Sequence, residues 1–569
     1  MRLHGMQRGL SLIVTLVLTA GVALAAVSFL CLTSSRSTLS RRTRQYDHSV
    51  AAAVAATQKV HARLSKDFQR AGESEVYNNL LNYRSLVPTS AEVVAALQSL
   101  TSGQTPWADD QFFNDAGQIN QTVVEKKSEW AFRDLQTRLP GLRGYAADYN
   151  IVASSRSLKT GYNIRATVKQ DIQVASIPIF QYQLFYVPDL ENHPSGVGMT
   201  YNGRVHCNGN IYCKPEGTVT FLNHVTVARN FINGRNPADG VTPLNGHAAF
   251  GAERVTRVNT LAIPMQVANT PTNLHALIDP SPLSELPASA IGQQRFYNKA
   301  DLIVQVSNGV VVAQSGIYNA GLVRVPWIES RGIVTTGKKT FYDKRETRDL
   351  AATELDLAAF LANYNDLTTL LGRPIKIIWI ADPRAPSSML SYGIRVLNGR
   401  TLPAAGLTIA TPNPIYIHGH YNLAATNASA RPACIAADSI TVLSAAWQDG
   451  NGPKTLSYRP ADDTTVNVAI ITGIVPSGGG NYSGGVENAL RILENWSGKT
   501  LTFNGALAVL YYSTRAVAPW GGPDVYSPPI RKYSYDSNLS QVATLPPGTP
   551  EVRTILYSDW TIVANSPGS

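Results

Sequence analysis

Residues 10–32 read LSLIVTLVLTAGVALAAVSFLCL, 23 positions without Asp, Glu, Lys, Arg or His. At the helical rise this run spans roughly 34 Å, enough to cross a hydrocarbon core of about 30 Å. It is too long for a signal-peptide core, and it has no Ala-x-Ala cleavage site leading into a polar stretch. From Val22 to Ala71 the chain contains neither Gly nor Pro, a stretch of 50 residues. The pattern predicts one long helix that leaves the membrane and continues as a stalk, about 90 Å in all. Its weak point is TSSRSTLSRRTR (33–44), where Ser and Thr side chains compete for backbone hydrogen bonds.

Beyond the stalk the period changes. SAEVVAALQSL (90–100) and QTVVEKKSEWAFRDLQTRL (121–139) show helical spacing. YNIVASSRS (149–157) and GYNIRATVKQDIQVASI (161–177) alternate apolar and polar positions, which predicts antiparallel strands, and IFQYQLFYV (179–187) follows as a buried strand. From about Met199 short apolar runs alternate with turn signals, among them eight Asn-Gly pairs at 202, 208, 233, 245, 308, 398, 451 and 504. A helix over 352–372, stopped by Gly372, and an apolar strand over 375–382 interrupt this region. The expected class is α+β, mainly β. A transmembrane and stalk helix precedes a small α+β region and a large β-solenoid-like (parallel β-helix) domain. A β-sandwich is the alternative, because no strict repeat period is visible. The expected division is a basic leader (1–9), a transmembrane helix (10–32), a helical stalk (33–72), an α+β linker region (73–190) and a β-rich solenoid-like domain (191–569).

Composition refines this picture in two places. The net charge of +10 could suggest nucleic acid. However, Arg2, Arg8, Arg36, Arg41, Arg42 and Arg44 flank the apolar run, where contact with anionic lipid head groups accounts for them. No nucleic-acid partner is expected. Basic residues on both sides leave orientation undecided by charge. The four cysteines are Cys31, Cys207, Cys213 and Cys434. Cys207 and Cys213 bracket an Asn-Gly turn, either as a disulfide in an oxidising compartment or as two buried thiols.

Several segments carry a family resemblance: QRGLSLIVTLVLT near the N-terminus, FQYQLFYVPDLE (180–191), MTYNGRVHCNGNIY (199–212), FYDKRE (341–346), LNGRTLPAAGLTIATPNPIYIHGHYN (397–422), ADSITVLSAAW (437–447) and NYSGGVENALRILENWSGKTLTFNGALAVLYYS (481–513). Together they resemble PilX-like type IV pilus-assembly proteins with a large exported domain of unassigned activity. The resemblance covers most of residues 175–553 and the first 35. It implies a prepilin-type leader cut after Gly9, with Leu10 as the first mature residue, and an exported body. The chain departs from the prepilin pattern at Val14, where many pilins have Glu. A cut after Gly5 and an uncleaved anchor are the alternatives.

Candidate chemistry is sparse. His418 and His420 are two apart, so on a strand their imidazoles share a face; His206 or His224 is the candidate third ligand. A turn role for these histidines is the plainer reading, and no metal or cofactor is expected. Asp438, Asp462 and Asp463 are the carboxylates that a sugar-cleaving solenoid would need to converge. PSGGGNYSGGVEN (476–488), the glycine-rich run around Tyr482, reads as a flexible surface loop, and FYDKRETRD (341–349) as a solvated one. Tyr482, Trp496, Tyr511, Tyr512, Trp520, Tyr526, Tyr533 and Tyr535 crowd the C-terminal region, either as a capping layer or as sugar- or protein-contacting rings. The expected protein is a non-catalytic, single-pass inner-membrane protein with a periplasmic or extracellular body for scaffolding or adhesion. Its expected partners are other pilin-like or pilus-assembly proteins and an extracellular polysaccharide or surface. An anchored polysaccharide-active enzyme and a bactofilin-like polymer are the alternatives.

Overall fold

In the computed structural model, which describes residues 4–89, 110–137, 139–158, 163–196, 198–317, 321–423, 430–522 and 524–563, one helix runs unbroken from His4 to Ala71. At about 1.5 Å per residue it is roughly 100 Å long. The polar stretch 33–44 does not break it. Thr33, Thr38 and Thr43 donate their hydroxyls back to the carbonyls of Phe29, Ser34 and Leu39 (2.5, 2.9 and 3.1 Å), so the competing groups are satisfied inside the helix. The helix stops at Gly72, whose φ of +85° an L side chain rarely adopts.

The two halves of this helix differ. From Ile13 to Leu32 the side chains are exposed. Beyond Arg44, Ser49, Ala52, Ala53, Ala56, Val60, Leu64 and Phe68 are fully buried, three or four apart on one stripe. That stripe packs on an antiparallel sheet ordered Asp110–Phe113, Arg143–Ser157, Arg165–Pro178, Glu551–Val563. Tyr149, Ile151, Ile172 and Val174 form its receiving face.

One helix expectation does not survive here. The segment 121–139 forms the strands Val123–Lys126 and Ala131–Asp134, both paired with Arg143–Ser157. Its turn is tied to the neighbouring strand. Ser128 Oγ donates to Asp148 Oδ2 (2.9 Å), and Arg133 pairs with the same carboxylate (3.1 Å). The helix expected at 90–100 lies outside the described residues. The run 179–187 divides into a turn, Ile179–Gln181, and a short strand, Leu184–Tyr186.

Leu184–Tyr186 begins a set of parallel ladders. Leu184, Val205, Val225 and Arg254 are successive rungs of the first, in steps of 21, 20 and 29 residues. Leu190, Ile211 and Phe231 head a second, and Tyr201, Phe221 and Phe250 align in a third. Stacking in these rungs is direct: the rings of Tyr201 and Phe221, and of Phe221 and Phe250, are 5.4 and 5.6 Å apart. On its other side Leu184–Tyr186 pairs in parallel with Thr500–Tyr512. The ladder continues through Thr464–Ile474, Ala433–Leu443, Leu407–His418, Ile377–Ala381 and Leu302–Ser307. The chain therefore enters this ladder in its middle, at Leu184, runs to one end, crosses to the other and returns beside its starting point. The pairing is parallel throughout these strands, whereas a sandwich of hairpins would require antiparallel pairs.

The expected helix over 352–372 is shorter and broken. Residues 352–356 end the strand Arg348–Asp356, and the helices Leu357–Ala362 and Tyr364–Leu371 follow. Asp356 caps the first of them, accepting from the Ala358 and Ala359 N–H groups, so helix begins only after it.

The central ladder is buried on both faces. Ile435, Ile470, Leu507 and Val509 face one core, while Ala436, Ile471, Ala508 and Leu510 face another. The second core also contains Ala146, Ala175 and Ile177 of the antiparallel sheet. The antiparallel sheet thus packs the helix with one set of side chains and the ladder with the other.

Candidate functional site

The element most plainly built for a task is the helix, exposed and apolar in its first half and clamped in its second. Arg553 on the last strand donates to the carbonyls of Phe68 and Gln69 (3.1 Å each), capping the end of the stalk. Gln69 Nε2 donates back to the Arg553 carbonyl (2.8 Å). Asp67, buried in the packed stripe, accepts from Arg63 Nε (2.9 Å) and from Tyr83 OH (3.1 Å). Tyr149 OH donates to Glu73 (2.6 Å), which also pairs with Lys126 (2.8 Å). Charge pairs and caps therefore orient the helix where it leaves the sheet. Among the described residues it is the one helix long and apolar enough to cross a membrane. The leader-cleavage candidates Gly9 and Leu10 lie within it.

The histidines singled out as metal ligands do not meet. His206 is buried between Thr226 Oγ1 (2.8 Å) and Asn208 Oδ1 (3.0 Å), and burial pushes its pKa down to about 4. It stands five strand spacings from the His418 strand in the ladder, about 24 Å. His420 accepts from the Thr465 N–H (3.0 Å), as a turn histidine would. Burial lowers the pKa of His418 and of His420. Cys207 and Cys213 are free thiols, as is Cys434, all three buried. Cys207 and Cys213 belong to one core cluster and Cys434 to another, and the Cys207 thiol faces the carbonyls of Pro188 and Asn210 (3.4 and 3.3 Å). Burial raises the pKa of Cys207 and takes Cys213 up to about 12, so neither is a ready thiolate.

The carboxylates are scattered too. Asp438 lies beside Gly473, at one end of the strand Thr464–Ile474, whereas Asp463 immediately precedes the other end. Ten residues of strand separate those positions, roughly 30 Å. Asp463 accepts from the Thr500 N–H (2.7 Å), and Asp462 faces Lys499 (3.6 Å).

Asp438 instead belongs to a cluster that resembles a nucleophile set. His275 Nε2 lies 3.2 Å from Thr514 Oγ1, and its Nδ1 lies 3.0 Å from Asp279. Asp438 Oδ1, however, also lies 3.2 Å from Nε2 and accepts the Thr514 hydroxyl (3.1 Å). Burial opposes a charge on His275, but the hydrogen bonds it donates to Asp279 and Asp438 outweigh it and raise the pKa to about 9. The ring is a cation held between two carboxylates and is not a base at neutral pH. It fastens the His275 turn to the ladder.

Two segments read as solvated loops are in fact largely buried. In FYDKRE, Asp343, Arg345 and Glu346 are buried, and Glu346 pairs with Arg491 (2.8 Å). In the glycine-rich run, Tyr482 and residues 483–492 are buried. Gly484 has a φ of +91°, and a Cβ there would meet Trp520 Cδ1 at 2.7 Å, so glycine lets the indole lie against this backbone. Of the C-terminal aromatics, Trp496 and Tyr511 are core residues, while Trp520 and Tyr526 are half-buried.

The glycine-rich run forms one wall of a cleft that sequence spacing did not reveal. It holds about 430 Å³ and is lined by His193, Arg235, Tyr482, Glu487, Trp520 and Tyr526, among others. Glu191, His193 and Asp239 each place a ligand-type atom within 4.8 Å of the others. The aromatic crowding around Tyr482 was the one signal of it in the sequence.

No protein-family model matches the chain. No curated protein matches it either. Among solved structures it is similar to the competence-associated pilin ComZ from Thermus thermophilus, with a TM-score of 0.28 and 11% identity, over 91% of this chain and 97% of that one.

Proposed function

We propose that this is a non-catalytic, membrane-anchored subunit of the type IV pilus class, in which the apolar half of the long helix sits in the bilayer or in a filament core and the rest presents a parallel β-solenoid outside the inner membrane for scaffolding or adhesion. One observation carries the reading: a single uninterrupted helix is wholly exposed and apolar over Ile13–Leu32, and sealed into an antiparallel sheet from Ser49 to Phe68. Exposed apolar surface on that scale needs lipid or other apolar helices to cover it. The three parallel ladders with steps near 20 residues support the solenoid. The separation of Asp438 from Asp463 supports a role without glycoside hydrolysis, which needs carboxylates about 5–10 Å apart.

The test is intact mass and N-terminal sequencing of the native protein from membranes. A start at Leu10 is expected of a pilin-type subunit. An intact Met1 reduces the proposal to a simple anchor, and recovery of the full chain in the soluble fraction overturns it. A reporter that is active only outside the cytoplasm, fused after Ser569, is expected to be active.

A further inference from the structure

We infer that the cleft between the glycine-rich wall and the Trp520 segment is a binding site for a neutral sugar residue. The cleft is assembled from three stretches far apart in the chain: Glu191–Ser195, Arg235–Leu244 and Tyr482–Arg531. Its volume of about 430 Å³ falls in the roughly 300–1,000 Å³ range of small-molecule sites.

Three polar side chains that line it are almost fully removed from solvent and hold atoms without a partner among the described residues. Glu487 is 5% exposed; its Oε1 accepts from Tyr482 OH (3.0 Å) and the His193 N–H (3.3 Å), but Oε2 has no donor. His193 is 4% exposed and its Nε2 has no partner. Arg235 donates from Nε to Asp239 (2.8 Å), and its Nη2 is unmatched. Buried polar atoms left unpaired are costly, so a ligand that pairs them is favoured.

The tautomer of His193 decides the kind of ligand. The Lys214 backbone N–H can only donate, and it lies 3.0 Å from Nδ1. The proton of the neutral ring therefore sits on Nε2. Burial and the neighbouring Arg235 keep the ring neutral, with its pKa pushed down to about 3. A metal on Nε2, as the nearby Glu191 and Asp239 carboxylates suggest, would have to displace that proton and either break the Lys214 N–H bond to Nδ1 or leave an imidazolate, beside an arginine already paired with Asp239. The cleft thus offers N–H donors from His193 and Arg235 and a carboxylate acceptor from Glu487. Sugar hydroxyls, which donate and accept alike, answer all three.

The aromatic rings supply the remaining half of sugar recognition. Trp520 and Tyr482 meet edge to face (5.2 Å), and Arg235 lies over the Tyr482 ring (4.5 Å). Trp520 Nε1 donates to Tyr526 OH (3.1 Å), which fixes the indole plane at the mouth. A pyranose presents a C–H face to such a ring while its hydroxyls reach inward. This assignment deepens the adhesive part of the proposed function and rests on it only for its setting. A failed sugar-binding test leaves the membrane anchor untouched.

The experiment uses the full chain in octaethylene glycol dodecyl ether, a detergent without a sugar head group. Saturation-transfer NMR is recorded with methyl β-D-glucoside, methyl β-D-galactoside and N-acetylglucosamine. Transfer to at least one is expected, with Trp520→Ala weakening it about tenfold or more. Trp520→Phe should retain most of the binding, and Leu370→Ala all of it. Should Trp520→Ala fail to fold, Trp520→Leu carries the same comparison. The inference is overturned if none of the three sugars receives saturation, if removing the indole leaves transfer unchanged, or if Zn²⁺ binds at the cleft and His193→Ala abolishes that binding.

Discussion

At the residue scale, buried charge in this protein is used as fastening. His275 is the clearest case, because both its ring nitrogens face carboxylates. Its folded pKa is raised from 6.5 to about 9, so the cation stabilises the fold fully below pH 6.5 and that contribution fades as pH rises through 9. Such a shift corresponds to something on the order of 3 kcal/mol. Thermal unfolding followed against pH should show this alkaline loss, and His275→Gln should remove the step. Phe68 makes the complementary apolar case. It is fully buried between the stalk, Trp130 and Arg553. Phe68→Ala should lower stability by about 3–5 kcal/mol in urea unfolding, with the stalk newly open to protease.

At the element scale, the parallel ladder depends on close backbone approach. Gly505 is one example: a Cβ there would meet the Val468 carbonyl oxygen at 2.0 Å, which is backbone and cannot swing aside. Gly505→Ala should part Thr464–Ile474 from Thr500–Tyr512 locally and cost about 1–3 kcal/mol or more, read as a fall in melting temperature. Sequence reasoning located most of these strands, because each is a short apolar run between turn signals. It placed helix where strand exists over 121–139, since Val123, Val124, Trp130 and Phe132 also fit a helical stripe. Pairing with Arg143–Ser157 decided the matter, through bonds to Asp148 that local spacing does not contain.

At the scale of the whole molecule, the chain leaves the antiparallel sheet after Pro178, builds the ladders, and returns to the same sheet at Glu551. The body is thereby tied at both ends to the sheet that grips the stalk, and a load on it reaches the helix through Arg553 and Phe68. The anchor itself is tested by Val22→Arg, which places a charge near the middle of the apolar run. At a cost of about 2.5–3.5 kcal/mol for insertion, this variant should shift protein out of the alkali-resistant membrane fraction. The candidate cleft belongs to this scale as well. His193 and Glu487 bond across 294 residues of sequence, and no motif spacing reports such a pair.

The sequence by itself determined the apolar span, the breaker-free stalk and the β-rich body, because each follows from runs of side chains near one another in the chain. Only the tertiary structure decided which strands are neighbours. The rung step near 20 residues is hidden by the 29-residue interval between Val225 and Arg254, and the ladder is completed by strands from the far half of the chain. It likewise decided that Asp438 is a clasp and that Glu487 is left half-paired in a cleft. The free energy of a buried carboxylate depends on what packs around it, and those neighbours are set by the fold rather than by adjacency.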